Sequence, residues 1–383
     1  MTNTPIKIFV DAHVFDGHYQ GTRTFIKELY CELANNPDIK LYLAANDVAN
    51  LQNNFPALDN ITFLSYKSKS RYKRLFFEIP ALIKQHRVDY AHFQYVSPLR
   101  KHCPYIVSTH DVLFYEMPSE FPLAYRLKRK YMFKMSAEQA DLLTTVSTHA
   151  KTVMSKNLQL KEREVHVIPN GVNPNLFALS DKPASLKYIA DKYNINKFLL
   201  LVSRIEPRKN HLLLLQSFFR LQLHVKGYHL VFIGNPSISC PALKKALENL
   251  SKEEREHVLI LPSVSEDELI HFYQAASLFV YPSKGEGFGI PPLEAAAMET
   301  PVICSKASAL AAFDFFEDDH INTDDEESLD KRILKWVDGS RDEVLLKERA
   351  IKIKEQYSWK SSADKLYEMI MTHYSNNKKQ SIK

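Results

Sequence analysis

The sequence predicts an α/β protein made of two doubly wound parallel-sheet domains in tandem. Three observations carry this reading. The chain has 383 residues, enough for two domains at the usual ~150 residues each. Twelve apolar runs of four to six residues recur along it, separated by segments of helical period. The runs lack strict alternation, so each reads as a strand buried on both faces, as in a parallel sheet covered by helices. The pattern then pauses once, at 176–196, where a polar segment containing Pro183 precedes a fresh strand.

In the first half the strands are expected at 6–10 (IKIFV), 40–44, 61–64, 89–93, 105–109, 142–146 and 165–168. In the second they are expected at 198–202 (FLLLV), 229–233, 257–261, 278–281 and 301–304. Between them, 21–33 is amphipathic, and 210–223 begins with Asn210 at an N-cap position. Ser265 with Glu268 reads as a capping box opening a helix, and 291–298 begins with proline, which helices accept in the first turn. The inter-domain linker is placed at the pause. This gives an N-terminal domain at 1–178 and a C-terminal domain at 195–361, with a last helix at about 362–378 packing back on the first domain. The tail 376–383 is expected to fray.

Composition narrows the class. Hydrophobic residues make up 45% and charged residues 25%, which excludes disordered, collagen-like and mucin-like chains. No apolar run approaches the ~20 residues of a membrane-spanning helix. The N-terminus lacks the basic and apolar regions of a signal peptide. Cys31, Cys103, Cys240 and Cys304 form no C-x-x-C and no metal spacing, the thiol usage of a reducing cytosol.

Charge is uneven. The chain carries a net +5, yet residues 67–134 alone hold 14 basic and 5 acidic side chains. Two stretches there mix cations with aromatics, KSKSRYKRLFF (67–77) and YRLKRKYMFK (125–134). Such segments suit a solvated helix face, or an anionic membrane surface or lipid phosphate. No nucleic-acid recognition module accompanies them, and no nucleic-acid partner is expected.

Glycine is scarce, at nine in 383 residues, against a usual ~7%. Three of the nine are Gly285, Gly287 and Gly289, where a ligand is expected to approach the main chain. Two doubly wound domains in tandem should leave a cleft, and open α/β sheets bind ligands beyond the carboxyl ends of their strands. Residues directly after strands are therefore the candidates. In 281–294 (YPSKGEGFGIPPLE), a glycine-rich turn leads to a helix N-terminus, an anion site in which Glu286 and Glu294 suit the hydroxyls of a sugar and a ribose. Taken alone, Glu294 also fits a helix-dipole complement. In 202–211 (VSRIEPRKNH), Arg204, Arg208 and Lys209 can clamp a diphosphate. Arg208 fits an exposed basic loop more readily than Arg204, which sits at the strand end. His110 follows a strand, and a lone histidine is also often structural. In the loop 16–22 (DGHYQGT), Gly21 could let a helix N-terminus approach a phosphate, or the loop is an ordinary connection.

At these residues the chain resembles the retaining glycosyltransferases of the GT-B fold, in the group 1 family (family 4), over nearly its whole length. The motifs are the glycine loop near Gly21, H-D-x-x-F at His110, D-L-L-T-T-V-S at 141–147 and I-P-N-G-V at 168–172. They continue with S-R-x-E-P-R-K-N at 203–210, P-S-x-x-E-G-F-G-x-P-x-L-E at 282–294 and P-V-I at 301–303. The nearest likeness is to bacterial mannosyltransferases of O-antigen or exopolysaccharide synthesis. The resemblance implies that Arg204 and Lys209 hold the nucleotide diphosphate and that Glu294 binds the ribose. Glu286, with the backbone of Phe288, Gly289 and Ile290, would contact the donor sugar, Val264 would border the base, and His110 would bond the sugar at the reacting centre. The first domain would hold a glycan or polyprenyl-linked acceptor.

Two departures stand out. Glu299 occupies a position where the family places glycine, and Leu310-Ala311-Ala312 replaces a common L-P-E. No D-x-D triplet occurs, so no metal or other cofactor is expected, and Arg204, Lys209 and helix dipoles would stabilise the leaving group. The implied function is retaining transfer of mannose or a related hexose in cell-surface polysaccharide synthesis. The implied location is the cytoplasm, with peripheral attachment at the inner face of the plasma membrane. The alternatives are a nucleotide-sugar epimerase of the same fold and a non-catalytic glycan- or lipid-binding relative.

Overall fold

The twelve apolar runs all form strands, most of them buried along their length, with three at the sheet edges covered only in part. The computed structural model describes residues 4–17, 21–160, 163–177, 181–339 and 341–381. In the first half lie β1 (Ile6–Asp11), β2 (Ile39–Ala45), β3 (Ile61–Ser65), β4 (Tyr90–Gln94), β5 (Tyr105–Ser108), β6 (Leu142–Thr145) and β7 (Val165–Val167). They form one parallel sheet in the order β3-β2-β1-β4-β5-β6-β7. The strand order reverses between β1 and β4, so the loops leaving these strands carry the ligand-binding end of the sheet.

Helix α1 (Gly21–Leu33) buries Phe25, Ile26, Leu29, Tyr30 and Leu33, a single stripe at helical spacing. Each such burial is worth ~1.5–3 kcal/mol. A helical turn at Arg71–Lys73 passes through a π-helical stretch, Arg74–Glu78, into α2 (Ile79–His86). Helix α3 (Leu123–Gln139) follows β5. The C-terminal helix Trp359–Ser381 belongs to this unit, with Met1–Gly171. Its Trp359 ring lies 6.1 Å from Phe25, and Tyr90 Oη lies 2.8 Å from His373 Nδ1. Gly171 is obligatory here, because a Cβ would sit 2.4 Å from the Trp359 nitrogen.

The second unit is Val172–Ser358. Helix α4 (Lys182–Tyr193) opens it, followed by β8 (Phe198–Val202), α5 (His211–Arg220), β9 (His229–Ile233), β10 (Val258–Leu261), α6 (Glu266–Ala275), β11 (Leu278–Tyr281), α7 (Ile290–Ala297), β12 (Val302–Ser305) and β13 (His320–Ile321). The sheet is parallel, in the order β10-β9-β8-β11-β12-β13, and reverses between β8 and β11.

Several expectations need correction. The expected linker at 176–196 is largely α4, and the chain passes between units at Gly171 and Val172 instead of near 178–195. It returns at Ser358 and Trp359, not 361. The segment reads polar because α4 buries only Ser185 and Ile189. Asp181 caps it through Ala184 N–H, Pro183 lies in its first turn, and Lys192 and Tyr193 bind Glu268 of α6 at 2.5 and 2.6 Å. Glu268 is thereby drawn away, so the capping box at Ser265 is half-formed, with only the Ser265 side chain accepting from Glu268 N–H. Asn210 does precede α5, but at φ +59° its side chain makes no capping bond. β13 was missed because two residues give no apolar run.

Candidate functional site

The loops after β8 and β11 meet at the switch point of the second sheet. Lys284 N–H donates to the Arg208 carbonyl at 2.7 Å and locks the two loops together. Gly234, after β9, has φ +150°, and a Cβ there would lie 2.0 Å from the Ser203 carbonyl oxygen. Only glycine permits the close approach that fixes Ser203 and Arg204.

Glu286 is the centre of this junction, with 6% exposure. Its carboxylate accepts from Lys209 Nζ at 2.5 Å, Ser283 Oγ at 2.6 Å and Arg208 Nη1 at 3.0 Å. Burial alone would raise its pKa, but Arg208 and Lys209 outweigh it and hold the carboxyl at about 2. Burial pulls the Lys209 ammonium down to about 8, with Glu286 resisting. Lys209 also donates to Tyr281 Oη at 2.7 Å. Two of its three N–H bonds are thus directed inward, which leaves one for a ligand.

The two arginines reverse the expectation. Arg208 is the buried one, bound to Glu286, to the Gly285 carbonyl at 2.7 Å and to the buried Glu206 at 2.5 Å. Arg204 is exposed, at 53%, touching only Ser237 Oγ at 3.4 Å and Glu206 at 3.9 Å among the described residues. Arg208 holds the site's shape, and Arg204 offers an open guanidinium fork. Sequence reasoning missed Glu206, Tyr281, Ser283 and Gly234. A glycine directly after a strand, in a glycine-poor chain, was the available signal for Gly234.

Gly289 precedes α7 at φ +102°, and a Cβ there would lie 2.3 Å from Leu310 Cδ2. Of the clustered glycines it alone has positive φ. Pro291 and Pro292 occupy the first turn of α7 and carry no N–H, so the N–H groups left to meet a ligand are those of Gly289 and Ile290. The Phe288 ring is turned away, packed 5.9 Å from Phe313 and 5.7 Å from Tyr357. Glu294, on α7, accepts from Tyr273 Oη at 2.8 Å, and burial raises its pKa. Val264 lies between β10 and α6, on the loop that ends in Ser265. Lys209, Glu286, Phe288, Gly289, Ile290 and Glu294 therefore belong to two adjoining segments at one end of the sheet.

His110 and Gly21 lie in the first unit. His110 is buried after β5, its Nε2 3.0 Å from Gln94 Oε1 and its ring 4.6 Å from Phe25. Burial lowers its pKa to about 3, so it is a neutral hydrogen-bonding group. Gly21 starts α1, and a Cβ there would meet nothing within 4 Å. His18, Tyr19 and Gln20 of the same loop lie outside the described residues. Among the described residues, no group of three or more His, Cys, Asp or Glu is placed to hold a metal ion.

Residues 187–354 match the family of glycosyl transferases group 1, and residues 19–176 match glycosyltransferase family 4. With its two parallel-sheet units, the chain belongs to the group 1 glycosyltransferases of the GT-B fold. It is 30% identical over 223 residues to an O-antigen chain mannosyltransferase of Salmonella typhimurium, covering 58% of each chain. It is 26% identical over 266 residues to O-antigen chain mannosyltransferase B of Escherichia coli, covering 67% of each. The match thus spans little more than half of the Salmonella relative. Among solved structures, sucrose-phosphate synthase of Thermosynechococcus elongatus superposes with a TM-score of 0.76 at 19% identity, over 97% of this chain and 100% of that one. HepE of Anabaena, in complex with UDP and glucose, gives 0.73 at 14%, over 96% and 100%.

Proposed function

We propose that the protein transfers mannose or a related hexose from a nucleotide diphosphate sugar to a hydroxyl of a glycan or lipid-linked acceptor, with retention, in cell-surface polysaccharide synthesis. The observation that carries this is the Lys209–Glu286 contact at the switch point of the second sheet, beside the open fork of Arg204. The O-antigen mannosyltransferase relatives support the sugar and the process, and the Anabaena structure with UDP and glucose supports the donor class.

The chemistry follows from the charges. Breaking the bond between the anomeric carbon and the diphosphate oxygen leaves negative charge on the β-phosphate. Arg204 and Lys209 meet that charge, with the Gly289 and Ile290 N–H groups beside them. Glu286 stays ionised and accepts from donor-sugar hydroxyls, and Glu294 from those of the ribose. Neutral His110 accepts a sugar hydroxyl. The acceptor oxygen bonds to the anomeric carbon on the face the phosphate leaves, and its proton passes to that phosphate. No free base is then required, and no metal is assigned a step.

The protein would act at the cytoplasmic face of the plasma membrane. The exposed rings of Tyr72, Phe76 and Phe77 among Lys67, Lys69 and Lys73 support peripheral attachment. Among the described residues no helix is long and apolar enough to cross a membrane. The test is incubation of purified protein with a panel of nucleotide sugars and a glycan acceptor, following nucleotide release and product. Transfer supports the proposal. Interconversion of the donor without release would favour an epimerase, and binding without turnover a non-catalytic relative.

A further inference from the structure

His92 and His110 are both buried and both pack against Phe25 of α1, yet they differ in one respect. The His92 ring has both nitrogens engaged, Nδ1 2.6 Å from Tyr30 Oη and Nε2 2.7 Å from Ser108 Oγ. The His110 ring has one engaged. Its Nε2 lies 3.0 Å from Gln94 Oε1, and its Nδ1 has no hydrogen-bond partner among the described residues. An amide oxygen only accepts, so His110 Nε2 carries the hydrogen. Burial holds the ring neutral, with its pKa at about 3, so Nδ1 keeps its lone pair. The ring can therefore only accept at the nitrogen left open.

Gln94 is a poor choice for stability alone. Its side chain is buried, and its Nε2 has no partner among the described residues, an unpaired donor that costs stability. An apolar residue of the same size would fill the place without that cost. The backbone beside it is strained as well. Val96 N–H donates to the Gln94 carbonyl at 2.7 Å across Tyr95, whose φ is +62°, a γ-turn of the rare, strained kind. Such strain persists where the surroundings over-determine it, as at functional sites. The turn sets the Tyr95 ring 5.4 Å from His110, with Phe133 stacked behind it at 5.0 Å, while Phe25 closes another side at 4.6 Å. The other titratable and charged groups nearby do not fix the ring. His92 is itself neutral through burial, Asp111 accepts from Tyr95 Oη at 3.4 Å and Leu113 N–H at 3.3 Å, and Arg129 of α3 faces Phe133. A glutamate at position 94 would also accept from Nε2–H, but its charge would draw a second proton onto the ring. Glutamine accepts without charge.

We infer that Gln94 is a positioning residue of the transfer reaction, one that fixes His110 as the neutral tautomer whose Nδ1 accepts a hydrogen bond from a substrate hydroxyl. The inference rests on the transferase proposal for the role of His110, and goes beyond it in naming the group that sets the state of the ring.

The test is nitrogen NMR of the full-length, histidine-labelled protein, with His110 assigned by the signals missing from His110→Gln. Steady-state kinetics with a panel of nucleotide sugars, GDP-mannose and UDP-glucose first, run beside it. In the wild type His110 should show the neutral Nε2–H tautomer down to about pH 5. Gln94→Glu sets a carboxylate against Nε2–H. One proton added to that pair puts a hydrogen on Nδ1 wherever it settles, as imidazolium beside carboxylate or as imidazole beside carboxylic acid. Nδ1 should then titrate near about pH 7, and kcat/KM should fall roughly tenfold per pH unit below that and approach wild type above it. The wild type should lack this acid limb. Gln94→Met keeps the size and removes the acceptor, so both tautomers should appear and kcat/KM should drop ~10-fold at every pH. Cooperative thermal melts show that the variants fold. A wild-type His110 in the Nδ1–H form, or protonated near about pH 6, overturns the inference. So do Gln94→Glu and Gln94→Met variants with wild-type turnover and pH profile. The expected spectra in a protein that turns over no nucleotide sugar would count against the transferase proposal alone.

Discussion

Replacing Lys209 with alanine removes the cation best placed to meet a leaving diphosphate. In the wild type the ammonium spends two protons on Glu286 and Tyr281, at 2.5 and 2.7 Å, and is held rigid by them. Loss of one preorganised donor costs ~2.7–4 kcal/mol in the transition state, or ~10²–10³ in turnover. The fold should survive, because Glu286 keeps Ser283 at 2.6 Å and Arg208 at 3.0 Å. The pH profile adds a second reading. Burial sets the Lys209 pKa at about 8, so the ammonium is present below that pH and lost above it. Wild-type kcat/KM for the donor should therefore fall roughly tenfold per pH unit above the pKa, whereas Lys209→Arg, always charged, should start lower and stay level to about pH 9.5. Steady-state kinetics with the true donor measures both. An alanine variant within about threefold of wild type, or a wild-type profile level to about pH 9.5, refutes the assigned role.

Arg208→Ala should destabilise the protein by ~3–5 kcal/mol, because it strips a partner from buried Glu206 and Glu286, whereas Arg204→Ala should leave Tm unchanged and lower donor kcat/KM by ~10²–10³; thermal melts beside kinetics check the pair, and the opposite pattern would restore the expectation from sequence. Glu299 stands at φ +57° after α7, so Glu299→Gly should stabilise by ~0.5 kcal/mol once glycine's greater chain entropy is deducted, while the Arg341 bond to its carbonyl persists. A lower Tm would mean that the side chain contributes more than the backbone strain costs. Turnover should persist in excess EDTA, and a complete loss reversed by Mg²⁺ would contradict the assignment of leaving-group stabilisation to Arg204 and Lys209. Anionic liposomes should bind the protein and release it as salt rises, and replacing Lys67, Lys69 and Lys73 with glutamine together with Phe77→Ser should weaken co-sedimentation. Arg74 stays out of that variant because it is buried against Asp11; equal sedimentation would return the segment to a solvated helix face.

The sheets were legible because strands buried on both faces leave apolar runs that nothing else in the chain imitates. Helix α4 was not, since its buried stripe is two residues wide and the rest meets water. The site's position followed from the glycine cluster and the residues after β8 and β11. The division of labour between Arg204 and Arg208 did not. Both follow the same strand, and which one turns inward depends on Glu206, which lies between them, and on Glu286, 78 residues beyond Arg208.

The most direct measurement is thermal stability of the purified protein against a panel of nucleoside diphosphates, repeated with Glu294→Ala. A ligand at about 100 times its Kd adds ~2.7 kcal/mol of stability. One nucleoside diphosphate should raise Tm by several degrees in the wild type and lose that shift when Glu294, half-buried and bonded to Tyr273 at 2.8 Å, is removed. No shift with any nucleotide, or the same shift with and without Glu294, would contradict a nucleotide-sugar site in the second unit.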